Sequence, residues 1–240
     1  MTQATKSVGE SRIIALLPMK AHSSRVPGKN FRELNGKPLF RWILDTLLSI
    51  DEIDLVVINT DARQLLHDKG LTETERIQIR DRKPQLCGDM VSMNLILADD
   101  IAATEADVYL MTHTTNPLLS AETIRAALVA YRQATVAGSA DSLFTVNRIQ
   151  TRFYQANGNP VNHDPAQLVQ TQDLEPWFEE NSNLYIFSKT SFLETSARIG
   201  RQPVLYEMDK QEAIDIDTTA DWVLADALIK NSTSKLIDRR

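Results

Sequence analysis

The sequence predicts an α/β fold built on a mostly parallel central sheet flanked by helices. Three observations carry that expectation. Short apolar runs recur at Ile13–Leu17, Leu55–Asn59 and Val108–Met111, each followed by a polar loop. Runs this short that are apolar on both faces suit strands covered by helices on either side. Stretches with helical spacing of apolar residues alternate with them, and 240 residues at 42% hydrophobic content are enough for a large core. The expected organisation is a loose segment over 1–11, one domain over 12–230, and a frayed tail over 231–240.

Ile13–Leu17 is stopped by Pro18 and empties into a loop carrying Lys20, Ser23, Ser24, Arg25 and Lys29. Asn35, Gly36 and Pro38 mark a turn, and Pro38 is placed to open a helix to about Ile50, with Phe40, Ile43, Leu44, Leu47 and Leu48 on its apolar face. Leu55–Asn59 ends in Thr60 and Asp61, and a helix over 62–69 packs back. Residues 76–80 form a weak strand, 81–89 a polar loop, and 90–103 a helix with Ser92 near its start. Val108–Met111 runs into His113, Thr114, Thr115, Asn116 and Pro117. Ser120, three residues before Thr123, caps a helix to about Ala134.

A fifth strand is expected at Leu143–Val146, followed by an excursion over 148–181 with no helical period. Phe153, Tyr154, Trp177 and Phe178 give it more apolar surface than a solvated loop carries; either a partner covers them or the segment folds back on its own domain. Leu184–Phe187 returns to strand, a short helix covers 191–195, and Val204–Tyr206 is another strand. Ala213–Asp217 alternates apolar and acidic residues as a short strand does, and a helix closes the chain from Thr218 to Leu228.

A net charge of −6 and a pI near 5.3 argue against a nucleic-acid partner. The single cysteine, Cys87, excludes an internal disulfide and a cysteine-rich zinc site. No apolar run approaches the roughly 18 residues that a membrane helix needs, and the first residues contain no apolar signal core, so a soluble cytoplasmic protein is expected.

Lys20, Arg25 and Lys29 are irregularly spaced, so they form no helical stripe. Beyond a strand's carboxyl end they read as an anion site, for which a phosphate is the natural ligand; the alternative is a solvated basic loop. The pattern GxxxxGK[ST] is absent, as are the glycine signatures of dinucleotide folds. Asp215 and Asp217, two residues apart, put both carboxylates on one face. Either they are solvated or they hold a hard divalent ion, magnesium with a polyphosphate being the usual arrangement. Asp61 is equally a ligand or a helix cap, and His113 binds substrate, acts as a base, or fixes loop geometry.

The order of these pieces resembles the acylneuraminate cytidylyltransferase family, the CMP-sialic acid and CMP-Kdo synthetases. The resemblance covers residues 12–228 and rests on PMKAHSSRVPGKN (18–30), GKPL (36–39), NTD (59–61), NPL (116–118), NLYIF (183–187) and IDID (214–217). It implies a Rossmann-like nucleotidyltransferase fold and a homodimer whose excursion reaches the partner's site. It also implies dependence on Mg2+ and transfer of CMP from CTP to an acceptor hydroxyl with loss of pyrophosphate. Carried over position by position, Lys20, Ser23, Arg25, Lys29, Asn30, Asp61, Arg82 and Ser92 hold the nucleotide, and Asp215 and Asp217 the metal. Lys20, Lys29 and Asp217 are the catalytic set. The acceptor side takes His113, Thr115, Asn116, Gln172, Glu179 and Asn181.

Where the family usually reads QPTSPLR, residues 113–119 read HTTNPLL, and Glu179 and Glu180 stand where sialic-acid enzymes often carry an arginine. Loss of those cations disfavours sialic acid itself. It points to a different 2-keto sugar acid or another hydroxylated or phosphonylated metabolite, with an amine that Glu179 or Glu180 could meet. Two rival readings remain: a sugar-phosphate nucleotidyltransferase using another nucleoside triphosphate, against which the absence of GxGTRL counts, and a CTP-binding relative without turnover, for which Lys20 in place of an arginine is the support.

Overall fold

The computed structural model describes residues 11–23 and 25–237, with side chains as far as Asn231. The expected loose N-terminus, the Ser24 hydroxyl and the last three residues lie outside the described part. The elements, in order, are β1 (Ile13–Leu16), β2 (Glu33–Leu34), β3 (Lys37–Pro38), α1 (Leu39–Leu48), β4 (Leu55–Thr60), α2 (Arg63–Asp68), β5 (Ile77–Asp81) and α3 (Met93–Ala103). There follow β6 (Val108–Thr112), α4 (Ala121–Val136), β7 (Ser142–Ile149), β8 (Trp177–Phe187), α5 (Lys189–Thr195), β9 (Pro203–Glu207) and α6 (Thr219–Ile237).

Seven strands make one sheet in the order β5-β4-β1-β6-β8-β7-β9, and β2 and β3 form a separate small hairpin. All pairings in the large sheet are parallel except those of β8, which runs antiparallel to both β6 and β7. The apolar runs behave as their composition requires. β1 and β6 are buried along their whole length, whereas β5, at the sheet edge, alternates Ile77 and Ile79 inward with polar residues outward. One face of the sheet packs Ile13, Ala15, Val56 and Leu110 against Phe40, Ile43 and Leu47 of α1 and Ile124 and Leu128 of α4. The other packs Ile14, Leu16, Tyr109 and Tyr185 against Leu97 and Ile101 of α3. The β2–β3 turn places Asn35 and Gly36 at φ 54° and 77°, two positive values in succession of the kind an Asn-Gly pair supplies in tight hairpins.

Several boundaries differ from the sequence reading. The excursion is shorter than 148–181, because β7 continues to Ile149 and β8 begins at Trp177, leaving 150–176 irregular apart from a 3₁₀ turn at Thr171–Asp173. β8 was hidden by its polar middle, Asn181-Ser182-Asn183. There the register with β7 slips between Phe144 and Val146, and Ser182 takes φ 58°. Such a bulge bends a strand and re-aims its side chains. The Thr145 hydroxyl stitches it, donating to Asn181 Oδ1 at 2.6 Å and accepting from Leu184 N at 2.9 Å.

Residues 213–217 are not a strand. They lie in the loop between β9 and α6, outside any strand ladder among the described residues, held by Ala213 N donating to Asp209 O at 3.0 Å and Ile216 N to Thr115 O at 2.9 Å. The helix expected from residue 90 starts at Met93, with Ser92 as its N-cap residue, and the closing helix continues past Leu228 to Ile237. No helix among the described residues is long and apolar enough to cross a membrane.

Candidate active site

β1 sits between β4 and β6, so the chain leaves it to opposite sides, and the crevice beyond the carboxyl ends of these strands is the expected ligand position in such sheets. A cavity of about 380 Å³ lies there. Lys20, Arg25, Lys29 and Asn30 line it from the loop after β1, Arg82 from the end of β5, and His113 and Thr115 from the loop after β6. Asp215 and Asp217 come from the loop before α6. Residues from four distant stretches thus converge on one wall set, as charge convergence at an anion site requires.

Each of the three cations on the loop after β1 is held by an acid. Lys20 pairs with Asp89 on the loop before α3; Arg25 Nη1 lies 2.8 Å from Asp217 Oδ2, and Lys29 Nζ lies 3.1 Å from Asp217 Oδ1. Lys29 also donates to Ile216 O at 2.7 Å. The Asp89 carboxyl is held below its usual range by its hydrogen bond to Lys20. Asp215 differs from Asp217: it is largely buried, burial raises its pKa above the usual carboxylate range, and its Oδ1 has no hydrogen-bond partner. Among the described residues no group of three or more His, Cys, Asp or Glu side chains could by itself hold a metal ion.

Asn30 and Asp61 brace the basic loop. Asn30 Nδ2 donates to Lys20 O at 2.9 Å while its Oδ1 accepts from Thr114 Oγ1 at 2.7 Å, and Asp61 Oδ1 accepts from Ala21 N at 2.7 Å. The cap position of α2 belongs to Ala62, so the capping alternative for Asp61 does not hold. Arg82 clamps the ends of β1 and β4, donating to Met19 O at 3.0 Å and to Asn59 O and Oδ1 at 2.8 and 2.9 Å. Asn59 in turn donates to the buried Asp100 at 2.7 Å, so Arg82 is set by a chain of partners reaching α3. Ser23 and Ser92 are not among the lining side chains.

His113 is pushed down to about 3, first by burial and then by the charges of Arg198 and Lys29, so its imidazole is neutral. Its Nε2 faces Arg198 Nη1 at 3.5 Å, which leaves a poor proton acceptor and disfavours a role as general base. Thr115 joins the wall, but Asn116 is turned inward toward Ile214 O at 3.5 Å. Asn181 is consumed by the bulge, bonding to Thr145 and to Asn147. Glu179 bonds to Asn147 and lines a different cavity, and Gln172 is exposed in the 3₁₀ turn. Asn116, Gln172, Glu179 and Asn181 are thus not among the residues that line this cavity within the one chain. Two polar cavity-lining residues escaped the sequence reading: Ser182, turned into the cavity by the bulge, and Asp89, which pairs with Lys20. Neither lies in a recurring motif.

A Rossmann-like sheet with a basic loop after its first strand and two carboxylates facing it defines a protein of the nucleotidyltransferase class. Residues 14–233 match the cytidylyltransferase family, and the chain belongs to it. An N-acylneuraminate cytidylyltransferase from Oncorhynchus mykiss is 28% identical over 92% of this chain and 51% of the relative. A CMP-N,N'-diacetyllegionaminic acid synthase from Legionella pneumophila is 26% identical over 94% of this chain and 100% of the relative. The chain therefore spans about half the length of the fish protein. Among solved structures, a CMP:2-keto-3-deoxy-manno-octonic acid synthetase complexed with CTP aligns over 92% of this chain and 100% of that one, with TM-score 0.64 and 15% identity. A 4-diphosphocytidyl-2C-methyl-D-erythritol synthase from Anaerococcus prevotii aligns over 92% and 97%, with TM-score 0.65 and 14% identity.

Proposed function

We propose that this chain transfers CMP from CTP to a hydroxyl of a small sugar-acid-like acceptor, releasing pyrophosphate. The observation that carries this reading is the convergence of Lys20, Arg25, Lys29, Arg82, Asp215 and Asp217 on one cavity at the switch point of the sheet. The family membership and the names of the relatives support it.

In this reading the triphosphate takes Lys20, Arg25 and Lys29, and Arg82 closes the nucleoside side. The acceptor hydroxyl oxygen forms a bond to the α-phosphorus and releases its proton to solvent as the bond from that phosphorus to the bridging oxygen of the β-phosphate breaks, and the departing pyrophosphate keeps the basic loop as its counter-charge. Such a site works mainly by positioning and charge neutralisation. Asp215, with a buried oxygen lacking a partner, and Asp217 beside it have the donor chemistry for Mg2+, which takes one or two carboxylates and fills its remaining positions with phosphate oxygens and water. Bound there, the ion would neutralise charge on the phosphates. The exposed Tyr154, Leu168, Val169, Trp177 and Phe178 of the excursion and its flank support a homodimer built on that surface.

A pyrophosphate-release assay with CTP, UTP, ATP and GTP, with and without Mg2+, against a panel of sugar acids and polyols tests the proposal, with mass spectrometry of the product. The expected outcome is Mg2+-dependent release with CTP and a CMP-linked product. Preference for another nucleotide, or CTP binding without turnover on any acceptor, would overturn it.

A further inference from the structure

Three of the four cations lining the cavity meet a carboxylate directly, but Arg82 does not. Among the described residues its partners are neutral. Nε donates to Asn59 Oδ1 at 2.9 Å, and Nη2 donates to Met19 O at 3.0 Å and to Asn59 O at 2.8 Å, which leaves Nη1 for the cavity. Burial pulls the pKa of Arg82 down, and the charges of Asp61 and Asp100 offset part of that without either carboxylate pairing with it. Behind Asn59 stands Asp100 of α3, whose Oδ1 accepts from Asn59 Nδ2 at 2.7 Å. Asn59 and Asp100 are both fully buried, so no water takes the place of either partner.

That order of partners decides which way the Asn59 amide points. Arg82 can only donate. The Asp100 carboxyl, raised to about 6 chiefly by burial, is ionised above that pH and can only accept. An amide between them satisfies both in one orientation, with its oxygen toward Arg82 and its NH2 toward Asp100. Without the carboxylate the amide is free to turn and aim its NH2 at the Arg82 Nε–H. Asp100 is not needed to balance Arg80, its other partner at 2.9 Å, because Asp99 already pairs with Arg80 at 2.8 Å. Nor does packing call for it, since its Oδ2 is buried without a hydrogen-bond partner, and a carboxylate in that state costs stability. What remains as its distinctive contact is the bond to Asn59.

We propose that Asp100 is a positioning residue for the nucleoside side of the cavity: through Asn59 it aims the Arg82 guanidinium at the nucleoside, and it touches no ligand itself. Placed one amide back, the carboxylate orients its cation without competing with the nucleotide for it, in contrast to Asp217, which occupies Arg25 and Lys29 directly. The inference rests on the cytidylyltransferase reading and names the buried residue on which its nucleoside contact depends.

The test uses the full chain and the D100N, D100L, R82Q and D100N/R82Q variants, with the folded fraction of each read from urea unfolding. Titration calorimetry with Mg2+ gives the affinity for CTP and, separately, for inorganic tripolyphosphate, which carries no nucleoside. Expected is a CTP Kd raised by at least about threefold in D100N and about tenfold in D100L, with the tripolyphosphate Kd within about twofold of the parent in both. Adding D100N to R82Q should cost no further CTP affinity, because the two residues act through one contact. Should D100L fail to fold, D100N decides alone. An unchanged CTP affinity in folded D100N, an equal loss for tripolyphosphate, or a D100N effect of the same size in the R82Q background overturns the inference and leaves the nucleotide reading intact. A parent that binds no CTP defeats that reading, and the inference with it.

Discussion

Replacing Asp217 by Asn should change nucleotide affinity and turnover in opposite directions. In the free protein Asp217 holds Arg25 at 2.8 Å and Lys29 at 3.1 Å, and a triphosphate must draw both cations away from it. Arg25 is well exposed, so its pair lies at the weak end of the range, whereas Lys29 is largely buried and its pair is worth more. With partly exposed pairs at up to about 1 kcal/mol each, breaking both costs roughly 1–2 kcal/mol, or about five- to thirtyfold in affinity. D217N removes that cost, so calorimetry in EDTA should show CTP binding several-fold more tightly than the parent does. With Mg2+ present, the proposed role of Asp217 toward the ion implies that turnover should fall by at least about a hundredfold. Metal-free affinity that is unchanged or weakened in D217N would refute the idea that Asp217 competes with the nucleotide for the basic loop.

Three further outcomes follow from the geometry. N181A removes a partner of Thr145 and Asn147 in the buried bulge and should cost about 1–3 kcal/mol in urea unfolding, with a loss of activity no larger than the loss of folded protein. The Asp100 carboxyl is raised from 3.8 to about 6, chiefly by burial. The native state therefore binds the extra proton between those values, and stability should fall as pH rises from about 4 to about 6, by up to about 3 kcal/mol, then level off. D100N should flatten that slope in denaturation curves taken across this range. G200A should push the 198–201 turn off Asp141 and lower thermal stability, read in a melting curve, by an amount worth about 1–3 kcal/mol.

The sheet was legible where burial leaves a strand no choice of residue. β1, β4 and β6 read as apolar runs because helices cover both faces, and the Ser120 cap, which accepts from Thr123 N at 3.1 Å, was spelled out by residue type. β8 was only half legible, since its bulge puts Asn181, Ser182 and Asn183 in the middle of a central strand, with Asn181 bonded to Thr145 and Asn183 Nδ2 to Asn181 O. The alternation over 213–217 was real but misassigned. It records Ile216 entering the cluster around Val26, Leu34 and Trp222 while Asp215 and Asp217 face the cavity, and no partner strand is involved. The basic loop and the two carboxylates were found from charge type and place in the chain. Ser182 was not, because only the slip of register between Phe144 and Val146 turns it into the cavity.

The contact between Lys29 and the Asp217 loop joins residues 187 and 188 positions apart. During synthesis the amino-terminal strands emerge first. The basic loop, its asparagine brace and the His113 wall are thus complete long before the acids that neutralise Arg25 and Lys29 leave the ribosome. A nascent chain stopped short of Asp215 would carry Lys20 already paired with Asp89 but Arg25 and Lys29 without Asp217. Arrival of the loop over 213–217 brings Asp217 to Arg25 and Lys29, so two cations on the basic loop owe their counter-charge to a stretch of chain made nearly two hundred residues later.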